Sequence, residues 1–462
     1  MSPRTNWWLH SLLRVAALLV LAVAVVFLAG RHRLRRDFSP GRVHTLLPQA
    51  EAVLDSLRSP LSVTLFLPDR EPERGRAAAL LGAAAAGRPR VSWELVDPGQ
   101  HPRRALAAGI REPGSVLVEH DGRREVYVAE RDAAGGYVLD EVALTRALRR
   151  VARARQLVVR VVQGPGLLSL DSGEGLAPLM LVLEAEGYDV SAWRAVDEGR
   201  GAVPDSTDLV VLAGPRRGLP APLIAGLEAW LDGGGALLLL LDPDVEMVDG
   251  AAAANLAPLL AARGIRPDPG FVIDLGEANI NMDKGFEVPV VSRYAPHPVT
   301  RPFLRLPALT AFPLARPFTV DSLAAPLLYS SPRSFEELGP LTEHVHFDEG
   351  SERGGPFVLA AASEAGGCRL LVVGDSHFVR YDQIDWQGNR DLLLNAAAWL
   401  VGERDAITAR ERPAGAGLLR MGRGARRVYG AVILALLPGL LLALWPLRRL
   451  LARRRPRPKG AS

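Results

Sequence analysis

Two apolar runs near the extremities constrain this chain more than any other feature. The first, Leu12 to Ala29 (LLRVAALLVLAVAVVFLA), is almost unbroken hydrocarbon. At about 1.5 Å per helical residue it spans roughly 27 Å, close to the thickness of a bilayer core. The second, Val428 to Leu447 (VYGAVILALLPGLLLALWPL), is about 30 Å long as a helix and is clamped by RMGRGARR before it and RRLLARRRPRPK after it. It has no polar face, which argues against a buried core helix. A cleaved signal peptide is the rival reading of the first run. FLAGRHRLRR sets four arginines directly behind it without a small-x-small cleavage site, so an uncleaved anchor is expected. Two spans would put both termini on one side of a membrane and everything from about residue 37 to 420 on the other. The flanking arginines disagree on which side: the cluster after the second run favours an external middle, the cluster after the first an internal one.

At 462 residues the chain exceeds what one hydrophobic core usually supports. Apolar residues make up 48% and charged residues 23%, as in folded chains. The net charge of +4 does not point to nucleic acid, because the arginines gather beside the apolar runs rather than along one helix. Cys368 is the single cysteine, so an internal disulfide, a CxxC pair and a zinc knuckle are excluded.

Between the runs, strands and helices alternate. LSVTLFLPD, RGRAAALLGAAAAG, VSWELVDPG, HPRRALAAGI, the hairpin GSVLVEH and REVYVAE turning at Asp121-Gly122, and DEVALTRALRRVARA give a βαβαββα order. That order resembles a thioredoxin-like domain, without the cysteines its redox chemistry needs. From LVVRVVQGPG onward the strands are continuous Val and Leu ending in Gly, Pro or Asp turns, which predicts a parallel sheet covered on both faces. This second unit resembles the flavodoxin and class I glutamine amidotransferase-like folds. In the latter a cysteine follows a core strand; here the matching strand ALLLLLDPD brings Asp242. The expected organisation is α/β throughout: an anchor over 1–36, a thioredoxin-like domain over 37–155, an amidotransferase-like domain over 156–405, and a linker, second membrane helix and basic tail over 406–462.

Ligands of open α/β sheets sit at the carboxyl ends of the strands, an edge expected to hold Gly164, Asp242, Asp244, Asp375 and Ser376. Gly374-Asp375-Ser376-His377 could be read as a hydrolase site. Neighbours in sequence rarely converge as nucleophile and base, so a turn capped by Asp375 or Ser376 is the expected role. Asp242-Pro243-Asp244 is a strand-end cap before it is a cation site. His344, His346 and Asp348 in EHVHFDE would share one face if extended, as metal ligands do or as an exposed edge strand does. His297 in YAPHPVT reads as a Pro-bounded turn, and Cys368 as a buried structural thiol. No catalytic, cofactor or metal site is assigned. GxxxxGK[ST] is absent, so any nucleotide turnover belongs to another subunit.

LAGP with GGGALLLLLDPD, YAPHPVTRPF, GGPFVLAAASE and VVGDSHFVRYDQIDWQGNRDLLLNAAAWLVGERDAI together resemble the auxiliary component of gliding-motility-type ABC transporters, the GldG-like proteins. The last block matches that family's Gly-Asn and its closing Asn-x-x-x-Trp-Leu, here Asn395 and Trp399. The resemblance implies a two-pass subunit of the cytoplasmic membrane whose large domain faces outward, beside a separate permease and ATPase, with no catalytic residues to transfer. HVHFDE departs from the family, which would show a serine- and tryptophan-bearing strand there. The alternatives are an extracytoplasmic hydrolase and a stand-alone saccharide- or peptide-binding module.

Overall fold

The computed structural model describes residues 46 and 48–403, except 133–134, 154, 172–174, 199–200, 247–250, 283, 306–307 and 341–345. These residues fall in one of two compact units, Met1–Glu411; the other, Arg412–Ser462, lies outside them. Both apolar runs also lie outside. Among the described residues no helix is long and apolar enough to cross a membrane.

The first part is built from α1 (Pro48–Ser56), β1 (Leu61–Phe66), α2 (Arg74–Ala85), β2 (Val91–Val96), α3 (Pro102–Ala107), β3 (Ser115–His120), β4 (Arg123–Val128) and α4 (Glu141–Ala152). Its sheet runs β2-β1-β3-β4, with β1 parallel to β2 and antiparallel to β3. Alternation sorts the side chains: Leu61, Val63 and Leu65 face α1, α2 and α4, while Phe66 and Leu117 face the shorter α3. Helix α4 shows why such a segment forms. Asp140 accepts the N–H of Ala143 at 2.9 Å, Arg149 and Arg150 occupy the last turn, and Leu144, Ala147, Leu148 and Val151 make one buried stripe.

The second part holds β5 (Leu157–Val162), α5 (Ala177–Ala185), β6 (Tyr188–Trp193), β7 (Leu209–Ala213), α6 (Ala221–Asp232), β8 (Ala236–Leu240), α7 (Ala251–Ala261), β9 (Ile265–Pro267), β10 (Phe318–Val320), β11 (Ala324–Tyr329), β12 (Val358–Ser363), β13 (Arg369–Val373) and α8 (Asn389–Leu400). The strand order is β9-β10-β12-β13-β8-β7-β5-β6, with β11 also pairing β12. From β6 to β13 all neighbours are parallel. Every residue of β7 and β8 is buried. Leu238 and Leu240 pack toward α5 and α8, and Leu237 and Leu239 toward α6 and α7, so both faces are covered.

The sheet is mixed rather than wholly parallel. β12 runs antiparallel to β13, and β10 to both β12 and β9. The reason is the short link Glu364–Cys368 between β12 and β13, far below the dozen or so residues a parallel crossover requires. The short strands carrying prolines, IRP and AAPLLY, had no clear period-2 signature in sequence.

Leu238 is fully buried and Leu106 is 74% exposed. Leu238→Ala should lose about 2–5 kcal/mol of stability, against less than about 0.5 kcal/mol for Leu106→Ala. Denaturant unfolding of the full chain in detergent measures both, and equal losses would contradict this packing.

Candidate functional site at the β8 and β13 strand ends

β8 and β13 are parallel neighbours in the register Leu240 to Val373, and the N–H of Leu241 still bonds the carbonyl of Val373. The next residues of each strand therefore emerge side by side. Asp242 Oδ1 accepts the Ser376 N–H at 2.6 Å, and its Oδ2 accepts the Ser376 hydroxyl at 2.7 Å. Asp375 Oδ1 accepts the His377 N–H at 2.7 Å and lies 2.9 Å from His377 Nδ1, while Oδ2 accepts the Phe378 N–H at 3.0 Å. Asp375 thus caps the short 3₁₀ turn His377–Val379, and Ser376 is the residue tied back to the neighbouring strand. Burial pushes the Asp375 carboxyl up to about 6; the His377 contact opposes that rise and the Asp242 charge adds to it.

Behind these carboxylates stands Arg316, only 1% exposed. Its Nε donates to the Asp242 carbonyl at 3.0 Å, and its guanidinium also reaches the Asp268 carbonyl and the Asp244 carboxylate. The Arg316 backbone N–H bonds the Gly374 carbonyl at 2.7 Å. A Cβ on Gly374 would sit 2.0 Å from the Arg316 carbonyl oxygen, so position 374 has no room for a side chain.

Of the five edge residues expected from sequence, four meet here: Asp242, Asp375 and Ser376 directly, Asp244 through Arg316. Gly164 belongs to the same edge, but two strands away at the end of β5, packed against Val196. Arg316 was not anticipated; its only signal is a lone cation inside the apolar stretch TAFPLARPF. His346 and Asp348 are exposed in irregular chain rather than in a strand, and His344 lies outside the described residues. His297 packs edge-on against Trp399 at 5.0 Å; burial, then the Arg301 charge, push it down to about 4. Cys368 is buried with its thiol on the Ala365 carbonyl.

The chemistry open to this arrangement follows from its hydrogen bonds. A serine nucleophile needs an adjacent base and access to substrate. The Ser376 hydroxyl instead donates to Asp242, and the residue is 1% exposed. Ligand atoms of Asp242, Asp375 and His377 lie within 4.8 Å of one another, a spacing a cation could bridge. All four carboxylate oxygens already accept protein hydrogen bonds, which a metal would have to displace. The geometry is that of a joint between strand ends.

A mixed sheet with helices on both faces and polar groups consumed at its strand ends defines a class of α/β scaffold. Within it, the family described as an ABC-type uncharacterized transport system matches residues 158–396, and the chain belongs to that auxiliary family. Among curated proteins none matches. Among solved structures the chain is similar to the N-terminal domain of mmIFT52 (16% identity, 53% of this chain and 97% of that one, TM-score 0.40). It is also similar to a ThuA-like protein of Bacteroides uniformis (14%, 54% and 93%, 0.33) and to a β-galactosidase of Bacillus circulans (12%, 58% and 34%, 0.30). Likeness at this level bears on neither activity nor partners.

Two outcomes test the joint. Gly374→Ala should lower stability by about 1–3 kcal/mol through the collision with Arg316; an unchanged unfolding midpoint would show that the strand end can move aside. The second outcome concerns pH. The ordinary value for Asp375 is 3.8, and with the folded value raised to about 6 the folded protein holds a proton that the unfolded chain has released between them. The stability this confers is complete below about pH 4 and is lost as pH rises through about 6. The unfolding free energy of Asp375→Asn relative to the parent should therefore climb across that window and level off above it. A difference flat with pH would contradict the raised value.

Proposed function

We propose that the chain is a non-enzymatic, membrane-anchored accessory subunit of an ABC-type transport system. It presents its folded body outside the cytoplasm, to bind a partner subunit or an exported substrate. In this reading Leu12–Ala29 and Val428–Leu447 are the membrane spans, and separate permease and ATPase subunits are the partners. Residues 37–155 are a thioredoxin-like unit and 156–405 an amidotransferase-like unit. The observation that carries the proposal is the family match over residues 158–396.

The geometry supports it from two sides. In the first part, the order β2-β1-β3-β4 suits a thioredoxin-like sheet, and the turn after β1, LPDREPERGR, contains no thiol. In the second, the order β6-β5-β7-β8-β13 suits a flavodoxin-like core. There the residue at the amidotransferase elbow is Asp242, whose carboxylate is spent on Ser376. A hydrolase reading draws on the Asp375–His377 pair flanking Ser376, but it would require Ser376 to leave Asp242 and become exposed.

Tagged full-length protein should copurify with a permease and an ATPase encoded beside it, and Ser376→Ala should leave that association unchanged. Esterase, amidase and disulfide-exchange assays of the purified protein are expected to read background. Turnover abolished by Ser376→Ala would overturn the non-enzymatic reading, and failure to retain either subunit under gentle extraction would overturn the accessory one.

A further inference from the structure

Where the first part of the body meets the second, charged groups gather around the buried side chains of Glu186 and Arg153. Arg146 and Arg149 of α4 bond the two oxygens of Glu186 at 3.2 and 2.8 Å. Arg153, just past the end of α4, holds Glu403 with two parallel bonds of 2.6 and 2.8 Å, donates to the Glu186 carbonyl at 2.8 Å, and lies over the Tyr188 ring at 4.6 Å. The Tyr188 hydroxyl bonds Glu403 at 3.3 Å. The side chains of Glu186 and Arg153 are 3% and 9% exposed, so salt screens them little. The fork-on-carboxylate geometry also fixes direction as well as distance.

Glu403 stands at a particular place. Helix α8 stops with the Gly402 N–H on the Trp399 carbonyl and the Glu403 N–H on the Ala398 carbonyl, a left-handed glycine stop with Gly402 at φ +83°. That stop turns the chain off the helix axis and delivers Glu403 to Arg153, 250 residues earlier. The residues that follow lead to the apolar run at 428–447.

We infer that this cluster is a coupling clamp. It binds α4, and with it the first sheet, to Glu403 at the end of α8, so that the first and second parts move as one body. Displacement of Glu403 at the end of α8 would then reach α4 directly. The mechanical use of the clamp rests on the membrane-anchored reading above; its existence as a rigid link does not.

Leu106 and Ala229 are exposed, one on each part, and Cys368 is buried, so Leu106→Cys and Ala229→Cys can carry spin labels in the full chain in nanodiscs. The parent should give one narrow label-to-label distance that 0.5 M salt, a chosen test concentration, leaves unchanged, roughly three times the physiological ionic strength. Glu403→Gln and Glu186→Gln should each broaden it, with amide exchange at 149–153 and 398–403 at least about tenfold faster. Glu403→Asp keeps the charge but shortens the reach, and should broaden the distance even if Glu403→Gln fails to accumulate as folded protein. Parent-like widths and exchange in Glu403→Asp and Glu186→Gln would overturn the clamp. Loss of permease and ATPase copurification with the distance still narrow would overturn the accessory reading and leave the clamp standing.

Discussion

The carboxylate of Asp242, withdrawn from water and divided between the amide and the hydroxyl of Ser376, is the contact on which the second part's architecture turns. Parallel strands hold each other along their lengths by ladder bonds, but their ends release chain that has no such partner. At the end of β8 and β13 the side chain from one strand takes over where the ladder stops. Asp375 then organises the following turn from within, and Arg316 backs both strand ends from the antiparallel side. A buried guanidinium bonded to two carbonyls and a carboxylate is costly to assemble and more costly to leave half satisfied.

Strand and helix positions were legible in the sequence wherever burial was two-sided or the helix was amphipathic. The continuous Val and Leu of β5, β7, β8 and β13, and the stripe of α4, lie where their periodicity puts them. The antiparallel extension was not legible, because direction depends on the length of the link between β12 and β13 and not on the residues inside them. At the joint, Asp242, Asp375 and Ser376 were readable as strand-end polar residues. Their mutual bonding was not, since it depends on β8 and β13 being spatial neighbours across 134 residues of sequence. Arg316 was invisible for the same reason: its partners come from Asp242, Asp244, Asp268 and Gly374, none of them near it in the chain.

The residues that carry the family resemblance have structural work at this end of the molecule. Asn389 accepts the Ala311 N–H at 3.0 Å and donates to the Ala311 and Gln383 carbonyls, so its side chain bonds Ala311 as a neighbouring strand would. Asn395 donates to the Val299 carbonyl at 3.2 Å, and Trp399 meets the ring of His297. Together they hold α8 against the loops that follow β9. A signature of buried amides and a tryptophan on the closing helix therefore marks how the scaffold is shut, and gives no ground for assigning chemistry to it.

Two of the buried polar clusters join elements distant in sequence. Apolar contacts supply most of the folding free energy but tolerate small slides and rotations, whereas a bidentate arginine–carboxylate pair permits very few geometries. Arg316 fixes the strand ends relative to the antiparallel extension, and Arg153 fixes α4 relative to Glu403. Here the carboxylates of Asp242 and Asp375 and the guanidinium of Arg153 are engaged in holding position.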